Sequence, residues 1–290
     1  MQISVLGTGA IGSAFAEAFL KAGHQVTVYN RSADKVARLV ALGATHVATP
    51  AAAMTAGGVV LVAVTDGKAL KAVLDGIPAA ALSGAKILNA STTRVVEIAE
   101  IAADLAGKGA DLAEVSVNVG PDQIREGQGM YLLGASETDT GLWTGLLTGI
   151  GSVVHRAGEV GDASRAELPL LMSYLFGLVA AAHVAAVVAR DRTPDDILAT
   201  YVYPALPAAQ YAVPQMMARA YADASASVDA FRALADNAVA DFAAMGYPTD
   251  VLEAMAAMFA RASAAGFGGK DGSAVFESLL VAQAPAPLEG

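Results

Sequence analysis

Ile3-Ser4-Val5-Leu6-Gly7-Thr8-Gly9-Ala10-Ile11-Gly12-Ser13-Ala14-Phe15-Ala16-Glu17-Ala18-Phe19 decides the fold. A short apolar run ends in Gly-x-Gly-x-x-Gly, and Phe15 and Phe19 follow at helical spacing. The motif is weak by itself but meaningful where it closes a strand and opens a helix. In that context the first glycine makes a tight turn, the second lets the backbone approach a pyrophosphate, and the third lets helix pack on strand. The helix N-terminus adds N–H donors and a positive dipole end. Residues Gly7, Thr8, Gly9, Ala10, Ile11 and Gly12 are therefore expected to hold a dinucleotide. The opposing reading is a glycine turn without a ligand.

The next apolar run, Val26-Thr27-Val28-Tyr29, leads into Asn30-Arg31-Ser32-Ala33-Asp34-Lys35. Roughly 20 residues past the glycines, an NAD-binding chain places an acid on the ribose 2′-hydroxyl. Here Arg31 takes the end of the strand, with Asn30, Ser32 and Lys35 about it. A guanidinium forks onto a phosphate and stacks on adenine, whereas an acid would repel a 2′-phosphate. The expected cofactor is NADP(H). A solvated loop arginine is the bland alternative.

A chain of 290 residues with 55% hydrophobic and 16% charged residues does not lack core. A net charge of −10 and a pI near 4.8 argue against a nucleic-acid surface, which needs clustered Lys and Arg. Zero cysteines exclude disulfides, thiolate metal sites and a cysteine nucleophile, and fit a cytoplasmic enzyme. The first strand begins at Gln2, so no signal peptide is expected. One run, Leu168 to Ala189, is apolar and long enough to span a bilayer. Its flanks, Arg165 and Glu167 against Arg190, Asp191 and Arg192, show no charge asymmetry. After a nucleotide-binding half, the expectation is no membrane, but a helix buried by a partner.

Up to about residue 158, apolar runs at 59–64, 86–89, 112–117, 130–133 and 152–155 alternate with helix or turn stretches, the βαβ signature of a parallel sheet. Beyond Gly158 and Gly161 the pattern is helical. After the apolar run come Tyr211/Met216/Met217/Ala220, Phe231/Leu234/Ala238/Phe242/Met245 and Val251/Leu252/Met255/Met258/Phe259, stripes read as core. The fold class is α/β: an N-terminal Rossmann domain over 1–158, a long interdomain helix, and an all-α bundle completing 159–290. The tail 284–290 is expected to be disordered. So hydrophobic a connecting helix calls for burial between two subunits, giving a homodimer with its active site at the seam.

These residues resemble the imine reductases and reductive aminases within the β-hydroxyacid dehydrogenase group, over nearly the whole chain. The resemblance is carried by the glycine turn, by Asn30-Arg31-Ser32, by Val119-Gly120-Pro121-Asp122-Gln123-Ile124 after the sixth strand, and by the long helix with a catalytic position near its start. β-Hydroxyacid dehydrogenases carry a motif similar to Gly161-Asp162-Ala163-Ser164-Arg165-Ala166-Glu167, ending in a lysine that polarises a carbonyl oxygen. Here that position is Glu167, and no lysine lies between Lys108 and Lys270. Imine reductases typically carry aspartate, or sometimes tyrosine, at this place.

The resemblance thus implies an NADPH-dependent reductase of C=N bonds, often cyclic ones, with coupling of an amine to a carbonyl compound as an extension. A carboxylate stabilises an iminium that an ammonium would repel. Glu167 is either proton donor or electrostatic anchor; a first-turn glutamate favoured by the helix dipole is the remaining alternative. As donor it needs a raised pKa, for which Leu168, Leu170 and Leu171 give a cause. The resemblance further implies that Val64, Thr65, Asp66 and Ser91 contact the cofactor, that Thr92 helps position substrate and that Asn237 bonds the carboxamide or the substrate. Asp236 departs from the methionine the family often has there and would add a negative charge to the pocket, and Tyr174 and Tyr211 either line that pocket or pack the bundle. No Gly-x-Ser-x-Gly elbow and no His-x-x-x-His pair occurs, so serine hydrolysis and a helical zinc site have no support. The competing readings are a carbonyl or hydroxy-acid oxidoreductase, disfavoured by the missing lysine, and a non-catalytic NADPH-binding homologue.

Overall fold

The computed structural model describes residues 1–188, 193–203, 206–221 and 226–280. The tail 284–290 lies outside them. By compactness the chain divides into Met1–Gly177 and Leu178–Gly290. That division falls inside the long helix rather than ahead of it.

The N-terminal unit is built on eight strands: β1 Gln2–Leu6, β2 Gln25–Tyr29, β3 Thr45–His46, β4 Val59–Val62, β5 Lys86–Asn89, β6 Asp111–Val117, β7 Met130–Gly134 and β8 Val153–Gly158. Their order is β3-β2-β1-β4-β5-β6-β7-β8. The first six are parallel, and β7 runs antiparallel to β6 with β8 parallel to β7. The expectation of a purely parallel sheet is thus corrected at β7. The short helix Pro121–Arg125 and a turn return the chain beside β6 without a full crossover, which only an antiparallel partner allows.

Alternation along the strands sorts the core into two layers. Val5, Val28, Leu61 and Leu88 face Phe15, Phe19 and Trp143 on one side. Leu6, Val60, Val62 and Ile87 face Leu70, Leu74 and Ile98 on the other. Each large side chain so buried contributes about 1.5–3 kcal/mol.

The long helix Asp162–Val188 contains Pro169. Its stretch Asp162–Val184 has a mean hydropathy of 1.5, is long and apolar enough to cross a membrane, and is not buried within the single chain.

In the C-terminal unit the helices Leu206–Ala218, Val228–Ala244 and Asp250–Ala262 fall where the periodicity puts them. Their stripes do not form the expected core. Tyr221, Val228, Ala262 and Ala274 make the buried cluster, with Phe259 and Phe267 against it. Met217, Leu234, Met245 and Met255 are exposed. The periodicity found the apolar faces, but among the described residues of the single chain these side chains remain uncovered.

Candidate active site

The crevice at the C-terminal ends of β1 and β4 is where the strand order reverses, the place at which doubly wound sheets take their ligands. Gly7 sits there with φ +91°, a conformation that only glycine adopts without strain. A Cβ on Gly12 would run into the Gly7 carbonyl oxygen and lie 3.1 Å from the Ala63 Cβ, so the third glycine lets the helix Ala10–Lys21 seat on the sheet. A Cβ on Gly9 would meet nothing within 4 Å, leaving the backbone open to an approaching group. That helix has no side-chain cap and no acid in its first turn. Its first N–H groups remain available to an anion.

The end of β2 is tied to this turn. Asn30 Oδ1 accepts from the Thr8 N–H at 3.1 Å, Asn30 Nδ2 donates to the Ser32 carbonyl at 3.0 Å, and the Thr8 hydroxyl donates to the Lys35 carbonyl at 3.4 Å. Arg31, Ser32 and Lys35 are exposed beside it. A cleft of ≈340 Å³ opens alongside, lined by Thr8, Gly9, Ala10, Ser13, Lys35 and Arg38 among others. Glu17 orients two cations at its wall, Arg38 at 2.9 Å and Arg125 at 3.2 Å. The sequence reading did not single out those two arginines. The donor set and the glycine cradle fit a phosphorylated dinucleotide.

On the β4–β5 side, the Val64 N–H donates to Ser91 Oγ at 3.0 Å, and the Ser91 N–H donates to Asn89 Oδ1 at 2.9 Å. Ser91 is buried and Thr92 exposed. Thr65 is exposed, while Asp66 caps the helix Gly67–Asp75 through Ala69 N at 2.8 Å. The Asp66 carboxylate therefore has a structural duty beside any cofactor contact.

Glu167 lies half-buried near the start of the long helix, with the Ser116 side chain close by. Burial lifts its carboxyl above the usual carboxylate range, the Ser116 hydroxyl opposes that lift, and the charge of Glu114 adds to it. Asn118 Nδ2 donates to Ser116 Oγ at 3.1 Å. Glu114 is 2% exposed. Its Oε1 accepts from the N–H groups of Gly161 (2.6 Å), Ala163 (3.0 Å) and Ser164 (3.3 Å), and its Oε2 from the Ser164 hydroxyl (2.6 Å). Glu114 and Ser116 went unnoticed in the sequence, although an acid inside Leu112-Ala113-Glu114-Val115 breaks the rule that buried strands carry no charge without a partner.

Other expected pocket residues are placed by element. Tyr174 is 68% exposed on the long helix. In the helical unit, the Tyr211 hydroxyl reaches Asp271 at 3.5 Å, Asp236 pairs with Arg232 at 3.8 Å, and Asn237 is exposed on the same helix as Asp236. Among the described residues no His/Asp/Glu cluster could hold a metal ion.

A doubly wound sheet with this glycine turn defines a dinucleotide-binding fold. Residues 2–158 match the family model of the NAD-binding domain of 6-phosphogluconate dehydrogenase. The chain belongs to that family, the β-hydroxyacid dehydrogenase family of NAD(P)-binding oxidoreductases. It is similar to the nuclear factor N-PAC of Xenopus tropicalis, 31% identical over 59% of this chain and 33% of that one. It is also similar to the 3-sulfolactaldehyde reductase of Escherichia coli K12, 28% identical over 57% of each. The chain therefore spans between a third and just over half of the length of these curated relatives. Likeness to solved structures extends further: a reductive aminase from Aspergillus terreus, in complex with NADPH4, cyclohexanone and allyl amine, matches with a TM-score of 0.87 at 26% identity, over 96% of this chain and 99% of that one.

Proposed function

We propose that this chain is an NADPH-dependent reductase of C=N bonds, acting on imines, cyclic ones first, and coupling an amine with a carbonyl compound as an extension. The observation that carries the reading is Glu167: a half-buried carboxyl, raised above its usual range, where β-hydroxyacid dehydrogenases hold a lysine. When bound, the nicotinamide supplies hydride. Glu167 gives its proton to the imine nitrogen, and the carboxylate left behind faces the iminium. Two unit charges about 4 Å apart interact by on the order of 4 kcal/mol at an effective dielectric near 20, so the sign of this one group selects the electrophile.

NADPH rather than NADH is the cofactor of this reading, held by the glycine turn, by Asn30, Arg31, Ser32 and Lys35, and by Val64, Thr65, Asp66 and Ser91. Thr92, Tyr174, Tyr211, Asp236 and Asn237 line the substrate pocket. The enzyme is a cytoplasmic homodimer with its active site between subunits. The uncovered apolar stretch Asp162–Val184 supports that assembly, with a second copy rather than a membrane covering it. The acidic balance supports a small-molecule rather than a nucleic-acid partner. One experiment tests the activity: NADPH oxidation with 1-pyrroline, with cyclohexanone plus allyl amine, and with a 3-oxo acid. Turnover of the cyclic imine is expected. Turnover of the 3-oxo acid alone would return the chain to carbonyl chemistry, the direction in which its 3-sulfolactaldehyde reductase relative points.

A further inference from the structure

We propose that Arg38 is a specificity-determining residue for the cofactor, a further guanidinium for the 2′-phosphate, held at the cleft beside the glycine turn by Glu17. The proposal rests on the reading of NADPH as the cofactor and names a residue outside Asn30-Arg31-Ser32 that selects it.

The cleft of ≈340 Å³ is walled by three cations, Lys35, Arg38 and Arg125, and by one acid, Glu17. In a chain of net charge −10 that is a local reversal of sign, and it suits an anion. Gly9 and Ala10 line the same cleft, where the helix Ala10–Lys21 leaves its first N–H groups uncapped. Lys35 is the residue that the cleft shares with the run after β2, and the Thr8 hydroxyl ties its carbonyl to the glycine turn at 3.4 Å. Arg38 follows three residues on, so the two cations stand one helical turn apart.

Glu17 separates the roles of the two arginines. Its side chain is 12% exposed, its Oε1 is buried with no hydrogen-bond partner, and Oε2 alone accepts from both guanidiniums. Arg125 is bound on two sides, to Glu17 through Nε at 3.2 Å and to Asp122 through Nη1 at 2.7 Å. Arg38 gives Glu17 only Nη2, at 2.9 Å, and its side chain is 70% exposed. Nη1 and Nε of Arg38 remain for a second anion, in the planar fork that matches a phosphate. The acid thus orients Arg38 at the cleft wall without using up its donors.

The probe is 2′,5′-ADP, which carries the 2′-phosphate without nicotinamide, set against 5′-AMP, which lacks it. Calorimetry measures both on the full chain in the parent, in Arg38→Ala and in Glu17→Gln. Arg38→Ala should weaken 2′,5′-ADP roughly 10-fold and leave 5′-AMP unchanged. Arg38 is mostly exposed, so the melting temperature should stay near that of the parent. Glu17→Gln keeps an oxygen for Arg38 but removes the negative charge, so 2′,5′-ADP should bind more tightly. An Arg38→Ala protein that binds 2′,5′-ADP as the parent does, or loses 5′-AMP in equal measure, overturns the proposal. So does a Glu17→Gln protein that weakens 2′,5′-ADP, since a pair that only braces two helices would loosen binding when either member is removed. Inorganic phosphate competing as strongly as 2′,5′-ADP would make this a free-anion site and overturn it too. The two failures separate: a parent that binds 2′,5′-ADP and 5′-AMP alike sinks the NADPH reading itself, whereas a parent that prefers 2′,5′-ADP beside an indifferent Arg38→Ala sinks only the role of Arg38.

Discussion

The Thr8 backbone N–H donates to Asn30 Oδ1 at 3.1 Å, which fastens the end of β2 to the glycine turn. Arg31 is therefore presented from a fixed backbone position beside the glycine turn. Replacing Arg31 with Ala should weaken NADPH binding and leave NADH nearly unchanged. Hydrogen bonds to charged groups are worth about 1.5–3 kcal/mol, or roughly 10- to 150-fold in Kd. Titration of both cofactors against both proteins checks this. Equal affinity of the parent for NADPH and NADH would remove the 2′-phosphate role.

Gly12 stands where a Cβ would strike the Gly7 carbonyl oxygen. Gly12→Ala must push the first helix off β1 or strain the turn, and overpacking of this kind costs about 1–3 kcal/mol. Urea unfolding should show a lower midpoint, and NADPH affinity should fall with it. An unchanged midpoint would mean that the turn has slack.

The fold was legible where local pattern and global role agree. Gly7 to Gly12 announces itself because each glycine answers a steric demand within the same turn, and Val59 to Val62 reads as a strand because a central parallel strand is apolar on both faces. Thr45–His46 did not read as a strand, since two residues carry no periodicity. The reversal at β7 was hidden because alternation reports faces and not direction. Glu167 could be singled out by a resemblance and a missing lysine. The buried Glu114 could not, because its contact is made between a strand and the start of a helix about fifty residues later.

The helix Asp162–Val188 exposes Leu168, Leu175, Phe176 and Leu178 in the single chain. Such a surface should be covered by a second copy, so light scattering should report about twice 29.2 kDa. Phe176, 66% exposed, is placed to feel that cover. Phe176→Arg should break the dimer or raise its dissociation constant by orders of magnitude while leaving the N-terminal sheet folded. A parent protein that is monomeric at micromolar concentration would take away the argument for a site shared between subunits.

Glu167→Gln keeps the size of the side chain and removes both its proton chemistry and its charge. NADPH binding should survive while kcat for an accepted imine falls. Loss of such a group typically removes about 2–4 kcal/mol of transition-state stabilisation, roughly 30- to 1,000-fold in rate. The same variant should gain stability, and the sign follows from linkage. Burial raises the Glu167 carboxyl above its value in the unfolded chain. Stability from this group is thus full below the ordinary carboxylate range and is lost as pH rises through the raised native value, because the unfolded chain gives up its proton first. Gln escapes that loss, so the gain in melting temperature should be present at neutral pH and vanish in acid. A variant that is slower but no more stable at neutral pH would mean that Glu167 is already ionised in the folded protein, an electrostatic anchor for the iminium and not its proton donor.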